Sequence, residues 1–314
     1  MGCTMTRTLK SKSRRQAERR ENIQGTLMAS GPFIGFLLFT FLPMILSLYV
    51  SFTELHVKNI SKAEWVGVEN YIRLFTDPTV TNRVVIAMRN SFIWILNVPL
   101  NMAVSLFIAN LIAKGRKGSK FVRTILFIPS ICSAVGVTLM WKWIFDYEHG
   151  VLNTIIGSLG GGKVPWTTNS TMFMVSCLIL SVWMYGTNIV LMQNALKNVN
   201  ESVKEAARMD GASELQVFWK VVFPAITPTL FYLLVTNLVA AVQEMPIMQL
   251  LASDGTGPNF GALTLSYLVY RMGNVDYMSD GLGMASALGW LVAIFCILFT
   301  RLNFWLSKKW VHYD

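Results

Sequence analysis

Apolar residues gather into six long runs separated by shorter polar intervals, at about 27–52, 87–113, 125–147, 172–196, 226–251 and 283–306. Each run meets the ~20 residues that a helix needs to cross a ~30 Å hydrocarbon core. Inside a bilayer a helix satisfies its own backbone hydrogen bonds. The pattern predicts an all-α, polytopic membrane protein with six transmembrane helices, organised as a basic tail over 1–24 and a transmembrane domain over 25–314. The first run exceeds the ~7–15 apolar residues of a signal-peptide core and reads as a retained span. The tail is polar and lacks apolar periodicity, which suits a solvated segment that sets topology. In the interval 53–86, Trp65, Tyr71, Leu74 and Phe75 predict a small amphipathic piece lying on the outer surface.

One polar interval has its own start and stop signals. In Glu205–Pro228 (EAARMDGASELQVFWKVVFPAITP), Ser202 with Glu205 and Ser213 with Gln216 have capping-box spacing, predicting two short helices. Gly211 stands between them, where a left-handed residue ends the first helix and turns the chain. Val203, Ala206 and Ala207 on the first arm and Leu215, Phe218 and Val222 on the second give each arm an apolar face. The small alanines allow close approach to the backbone, as a docking element requires.

Composition agrees with the pattern: 53% of residues are hydrophobic and 14% charged, against ~25% charged in an ordinary soluble domain. The net charge of +10 would suggest a nucleic-acid partner in a soluble protein, but its distribution points to topology. Lys and Arg concentrate in the tail (Arg7 to Arg20), the 114–124 loop (Lys114, Arg116, Lys117, Lys120, Arg123), the elbow region (Lys197, Lys204, Arg208, Lys220) and the C-terminus (Lys308, Lys309). The alternate loops hold fewer: Lys58, Lys62, Arg73, Arg83, Lys163 and Arg271. Positive-inside bias places both termini and the elbow in the cytoplasm.

No catalytic constellation stands out. Gly157 to Lys163 (GSLGGGK) has the spacing of a phosphate loop, but Val164 follows where magnesium would need a hydroxyl. His56, His149 and His312 lack metal-ligand spacing. Cys132, Cys177 and Cys296 lie in apolar runs and Cys3 in the tail, so no structural disulfide is predicted. Any ATP and magnesium would be bound by another subunit. Polar residues inside spans are functional candidates by default. Lys142 and Asp146 have i, i+4 spacing near a span end, where pairing is the structural alternative. Trp183, Tyr185, Thr187, Asn188 and Gln193 in the fourth run, with Asn237, Gln243 and Glu244 in the fifth, combine rings with hydrogen-bonding groups. That mixture suits polyhydroxylated ligands; interhelical hydrogen bonding is the rival reading.

The elbow resembles the permease subunits of binding-protein-dependent ABC importers. It has their Glu205-Ala206-Ala207, Asp210-Gly211-Ala212 and Phe223-Pro224. The resemblance runs from about residue 25 to the end and narrows to the maltose-like carbohydrate-uptake branch. It is carried there by Trp65 to Tyr71 with Phe75, Asp77 and Pro78; by Phe121 to Pro129; by Trp141 to Phe145 with Gly150 and Asn153; by Gly255 to Pro258; and by Lys308 to Tyr313. The ending resembles the first of two permeases. The resemblance implies an inner-membrane heterodimer with a second homologous permease, two cytoplasmic ATPases and an extracytoplasmic solute-binding protein. It implies that 200–224 docks on an ATPase through Glu205, Ala206, Ala207, Asp210, Gly211 and Ala212.

By ungapped count from the Glu-Ala-Ala it also implies a carbohydrate path lined by Trp183, Met184, Thr187, Asn237, Ala240, Ala241 and Glu244. The sequence departs from the pattern at Val199-Asn200, Phe223, Ala240, Ala241 and Glu244. Two alternatives stay open: a non-sugar cargo (peptide-like, or a polyol phosphate), and a membrane scaffold or channel without an ATPase.

Overall fold

The computed structural model describes residues 3–55, 63–115, 117–252, 255–275 and 281–312, with side chains from residue 17 onward. His56, Lys58, Lys62, Arg116, Tyr313 and the side chains of Cys3 and of the basic residues from Arg7 to Arg15 lie outside the described residues. Helix α1 (Cys3–Phe36) passes through a π-turn (Leu37–Phe41) into α2 (Leu42–Ser51). The predicted tail is thus helical, an extension of the first span. Helix propagates easily from an existing segment into Lys-, Arg- and Gln-rich sequence.

Antiparallel strands β1 (Thr53–Glu54) and β2 (Glu64–Trp65) close the base of the first outer loop. Helix α3 (Glu69–Thr76) is amphipathic and packs against α4 and α16. Leu74 is fully buried, and Asn70 Nδ2 donates to the carbonyls of Ser51 (3.0 Å) and Thr53 (2.9 Å). Trp65 and Phe75 stay exposed. Asp77 caps α4 (Pro78–Ile95), accepting from Thr79 N–H at 3.0 Å. With α5 (Asn97–Ala113), α4 forms one long apolar span of 36 residues that starts earlier than 87.

The third and fourth runs are bent. Helices α6 (Ser119–Ile131) and α7 (Ala134–Ile144) meet at 103°, because Cys132 and Ser133 are both extended (ψ 157° and 126°). Lys142 and Asp146 do not pair: Lys142 Nζ donates to Leu250 O at 3.1 Å, and Asp146 Oδ1 accepts from the N–H groups of Glu148 and His149. In α8 (Val151–Ser158), Asn153 fastens the outer loop by donating to the carbonyls of Tyr147 and Val164 and accepting from Trp166 Nε1. Lys163 of the GSLGGGK stretch pairs with Glu148. Helices α9 (Ser170–Met184) and α10 (Gly186–Asn198) meet at 47° around Tyr185. Gly186 lets α10 touch α6: a Cβ there would stand 2.2 Å from Leu126 O.

Helix α11 (Glu201–Met209) precedes one unbroken helix over Glu214–Val242, made of α12 (Glu214–Val217), a π-turn (Phe218–Val222) and α13 (Phe223–Val242). Both π-turns end two residues before a proline, Pro43 and Pro224. A proline lacks its N–H and its ring opposes the carbonyl four residues back. The widened turn relieves that conflict, and its i→i+5 bonds run from Leu42 N–H to Leu37 O and from Phe223 N–H to Phe218 O. The fifth run splits, since α13 ends at Val242 and α14 (Pro246–Leu251) is separate. Helices α15 (Leu265–Asn274) and α16 (Gly281–Ser307) complete the chain.

Four helical segments are long and apolar enough to cross a membrane, or six when each bent pair counts as one span. Two buried clusters divide the interior. The larger joins α3, α4, α9, α14, α15 and α16 with Val98 of α5 and Leu238 and Ala241 of α13. The smaller joins α5, α10 and α13 with Val217 and Val222 of the elbow's second arm. Trp310 packs against this smaller cluster, and His312 N–H donates to Thr227 Oγ1 at 3.0 Å, so the C-terminal segment sits at the elbow end of the bundle.

Candidate functional site

The elbow forms as two short helices about a glycine turn. Its first cap is Asn200, whose side chain accepts from Ser202 N–H at 3.0 Å, in place of the predicted Ser202–Glu205 box. Asn at this position caps the helix and starts it two residues earlier. The Ser213–Gln216 box is present with both bonds. Gly211 has φ +84°. Ala212 N–H donates to Ala207 O and Gly211 N–H to Arg208 O, both at 3.0 Å. These are the two bonds of a Schellman motif, and Ala207 and Ala212 make its apolar contact against the smaller core cluster.

Arg208 ties the arms together. It donates to Glu214 at 2.8 Å and to Glu201 at 3.2 Å, and Lys204 adds a second bond to Glu201 at 2.9 Å. The hydrogen bonds from Lys204 and Arg208 hold the Glu201 carboxyl below the usual range, and that from Arg208 does so for Glu214. Of the expected apolar faces, Phe218 and Val222 pack inward, while Val203 and Leu215 stay exposed beside Met209 and Trp219. Met209 is 88% exposed and Leu215 69%, a surface of large side chains with the exposed Glu205, Ala206 and Asp210 between them.

At the other end of α13 lies a cavity of about 400 Å³ between α4, α7, α9, α10, α13 and α14. Met184, Thr187, Asn237, Ala240, Ala241 and Glu244 line it, so six of the seven residues expected on the path come together. The seventh, Trp183, lines a neighbouring hollow of about 340 Å³ with Trp141, whose ring it meets edge-on at 6.1 Å. The break at Tyr185 puts Trp183 and Thr187 on different helix axes.

The wall is mainly apolar, with polar side chains from Ser181, Tyr185, Thr187, Asn188, Asn237 and Glu244. The Nδ2 groups of Asn188 and Asn237 are buried and, among the described residues, have no hydrogen-bond partner. Such donors are costly unless something pairs with them. The interhelical bonding that rivalled a path-lining role is found instead in Asn97, Asn101 and Ser181, where Asn97 Nδ2 donates to Ser181 Oγ at 2.9 Å. Glu244 Oε1 caps α14 by accepting from Ile247 N–H at 3.0 Å, and its backbone carbonyl accepts from Thr264 Oγ1 at 2.9 Å. Trp94, Ala134, Ser181, Pro246 and Ile247 also line the wall and escaped the sequence reading. Trp94 is one ring in an apolar run, and Ala134 reaches the cavity only because α6 and α7 break beside it.

One continuous helix, Glu214–Val242, joins the elbow to the cavity within the bundle. Residues 101–312 match the family model described as the binding-protein-dependent transport system inner membrane component. The chain belongs to that family. It is an ABC transporter permease, a subunit whose ATPase is carried on a separate chain. The permease is 34% identical over 300 residues to the probable ABC transporter permease protein YesP of Bacillus subtilis (strain 168), covering 94% of each chain. It is 29% identical to the osmoprotective compounds uptake permease protein GgtC of Synechocystis, covering 83% of this chain and 91% of that one. It is also 29% identical to the sn-glycerol-3-phosphate transport system permease protein UgpA of Yersinia pestis, covering 80% and 83%. Among solved structures, a chain of a bacterial alginate ABC transporter, crystallised with an alginate pentasaccharide-bound periplasmic protein, superposes with a TM-score of 0.76. It shares 22% identity over 94% of this chain and 96% of that one. The all-α ABC importer permease fold follows.

Proposed function

We propose that this permease forms half of the translocation pathway of an ATP-driven oligosaccharide importer. It would pair with a second, homologous permease, stand above two cytoplasmic ATPases, and receive cargo from an extracytoplasmic solute-binding protein. Both termini and the elbow face the cytoplasm in this reading, in line with the basic residues gathered at that end. The observation that carries the proposal is the cavity: two unpartnered amide donors, a carboxylate and aromatic walls at the far end of the helix that begins in the elbow. Hydroxyl groups pair with such amides as donor and acceptor, and sugar faces stack on rings.

The coupling surface of this reading is the elbow, 200–224, with Glu205, Ala206, Ala207, Asp210, Gly211 and Ala212 at the ATPase. Met184, Thr187, Asn237, Ala240, Ala241 and Glu244 hold the cargo. A second reading is favoured by one residue: the carboxylate of Glu244 suits a cationic, peptide-like solute. The same charge counts against a polyol phosphate, since like charges in a poorly screened cavity repel strongly. The test is ATPase stimulation of the reconstituted complex by binding protein loaded with neutral oligosaccharides, cationic peptides or polyol phosphates. Stimulation by neutral saccharides supports the proposal; stimulation by cationic peptides alone replaces it with the second reading.

A further inference from the structure

The loop between α14 and α15 holds a residue in a conformation that its own side chain opposes. Asn259 and Phe260 have φ of 51° and 59°, and Gly261 N–H donates to Pro258 O at 2.9 Å. Pro258–Gly261 is therefore a type I′ turn, whose two central residues both need positive φ. Asn suits the first of them and Gly the second. Phenylalanine in the second is a genuine outlier, because its Cβ crowds the following carbonyl.

The surroundings impose the turn all the same. Asn90 of α4 donates Nδ2 to the carbonyls of Phe260 (2.9 Å), Leu263 (3.0 Å) and Gly261 (3.4 Å). Ala262 N–H donates to Thr256 O at 2.9 Å and Leu263 N–H to Phe260 O at 3.0 Å. Gly257, at φ +70°, admits no Cβ, which would lie 2.9 Å from Ala262 N. Phe260 keeps 41% of its surface exposed while the rest packs against the chain, which offsets part of the strain. Glycine would make the same turn without strain, and the exposed part of the ring is free to meet something outside the chain.

Its position says what. Gly261 packs on Ser170, the first residue of α9, at the end of the bundle opposite the elbow. In a binding-protein-dependent permease the ATPase engages the elbow end, and the soluble binding protein meets the opposite end. Exposed aromatic rings on a rigid support are the side chains that carry most of the energy of such contacts.

We propose that Phe260 is a fixed aromatic anchor for the extracytoplasmic solute-binding protein, entering an apolar recess on that partner. The proposal rests on the importer reading. The strain is maintained because the Asn90 clamp holds the ring at one height above the bundle, so docking costs little further ordering.

The test is the ATPase rate of the reconstituted importer as a function of the concentration of its own cargo-loaded binding protein. Phe260→Gly removes both ring and strain, Phe260→Ala removes the ring alone, and Asn259→Gly relaxes the neighbouring residue and keeps the ring. Both Phe260 variants are expected to raise the half-saturating concentration at least tenfold with the maximal rate preserved. Phe260→Gly should also melt at or above the wild-type temperature, and Asn259→Gly should keep wild-type half-saturation. Half-saturation within twofold of wild type in both Phe260 variants overturns the proposal while leaving the importer reading intact. A lowered maximal rate or loss of the second permease on purification, with half-saturation unchanged, assigns the ring to the partner permease and also overturns it. A wild-type complex that no binding protein stimulates refutes the importer reading itself, and this proposal with it.

Discussion

Replacing Gly211 tests the coupling mechanism at one backbone angle. At φ +84° a Cβ would meet nothing within 4 Å, so a side chain there causes no clash and its cost is conformational alone. The left-handed region costs a non-glycine residue about 1–2 kcal/mol, with Asn and Asp the tolerated exceptions. A β-branched residue lies at or beyond the top of that range. If the chain escapes by leaving the turn, it gives up the two Schellman bonds at Ala207 and Arg208, each contributing ~0.5–1.5 kcal/mol net. Either route depopulates the docking geometry by about 1–3 kcal/mol. One or two kcal/mol corresponds to roughly a 5- to 30-fold change in population. Transport per ATP hydrolysed in proteoliposomes should therefore fall in the order Gly211, Gly211→Asn, Gly211→Ala, Gly211→Val, with Asn near wild type and Val at least tenfold down. Membrane insertion should not change, because Gly211 is exposed at the tip of the elbow. A Gly211→Val complex that transports at the wild-type rate and ratio would refute the docking role of this turn.

Three further outcomes follow from the geometry. Glu244→Gln keeps the cap on Ile247 and removes the cavity's charge. It should leave stability within about 1 kcal/mol of wild type and admit anionic saccharides, read as ATPase stimulation by uronate-containing cargo; no change in charge preference would take Glu244 out of cargo selection. Gly186→Ala puts a Cβ 2.2 Å from Leu126 O and 2.9 Å from Phe127 Cα. It should cost about 1–3 kcal/mol or more, seen as a lower melting temperature in detergent. For pH, the Glu201 and Glu214 carboxyls are depressed by their bonds to Lys204 and Arg208. Their contribution is thus complete above the ordinary Glu value of about 4.3 and is lost as pH falls through the lower folded values. Hydrogen exchange at the Gly211 and Ala212 amides, corrected for intrinsic rates, should then be flat from pH 8 to about pH 5 and gain extra opening only in stronger acid.

What the sequence made legible was what local rules determine. Run length gave the span count, Gly211 and the Ser213 box gave the elbow, and ungapped counting from Glu205 gave six of the seven residues around the cavity. The misses have a common physical cause. The 103° bend sits at Cys132–Ser133, where hydropathy averages straight through an apolar run; Pro129, three residues before, was its one local signal. The bend at Tyr185 is stabilised by Gly186 packing on α6, a tertiary contact that no local pattern encodes. Trp183 lines the neighbouring hollow rather than the cavity itself, and Trp94 and Ala134 were invisible because their facing is decided by neighbouring helices. Lys142 and Asp146 have pairing geometry on a straight helix, but α7 ends at Ile144, and each side chain found a backbone partner instead. Phe260 carried no signal at all, since its oddity lies in φ rather than in composition.

The two bends and the elbow form one mechanical argument. From Glu214 to Asn237 the helix is continuous, about 35 Å at 1.5 Å per residue, so displacement of the second arm reaches the cavity as motion of a rod. The rod cannot move alone. Val217 and Val222 are buried with Ile189, Met192 and Leu196 of α10, so α10 is carried with it. The two unpartnered amides lie one on each of these helices, Asn188 on α10 and Asn237 on α13. If α10 and α13 travelled as a rigid pair, the cavity would move without changing shape. The break at Tyr185 prevents this: α10 turns about Gly186, pinned against α6, while α13 has no such pivot above Pro228. In the importer reading a push at Gly211 would therefore change the separation of the two amides, and a cargo held between them would bind one arrangement better than the other. Differential binding of that kind is what ligand-driven switching between two states requires.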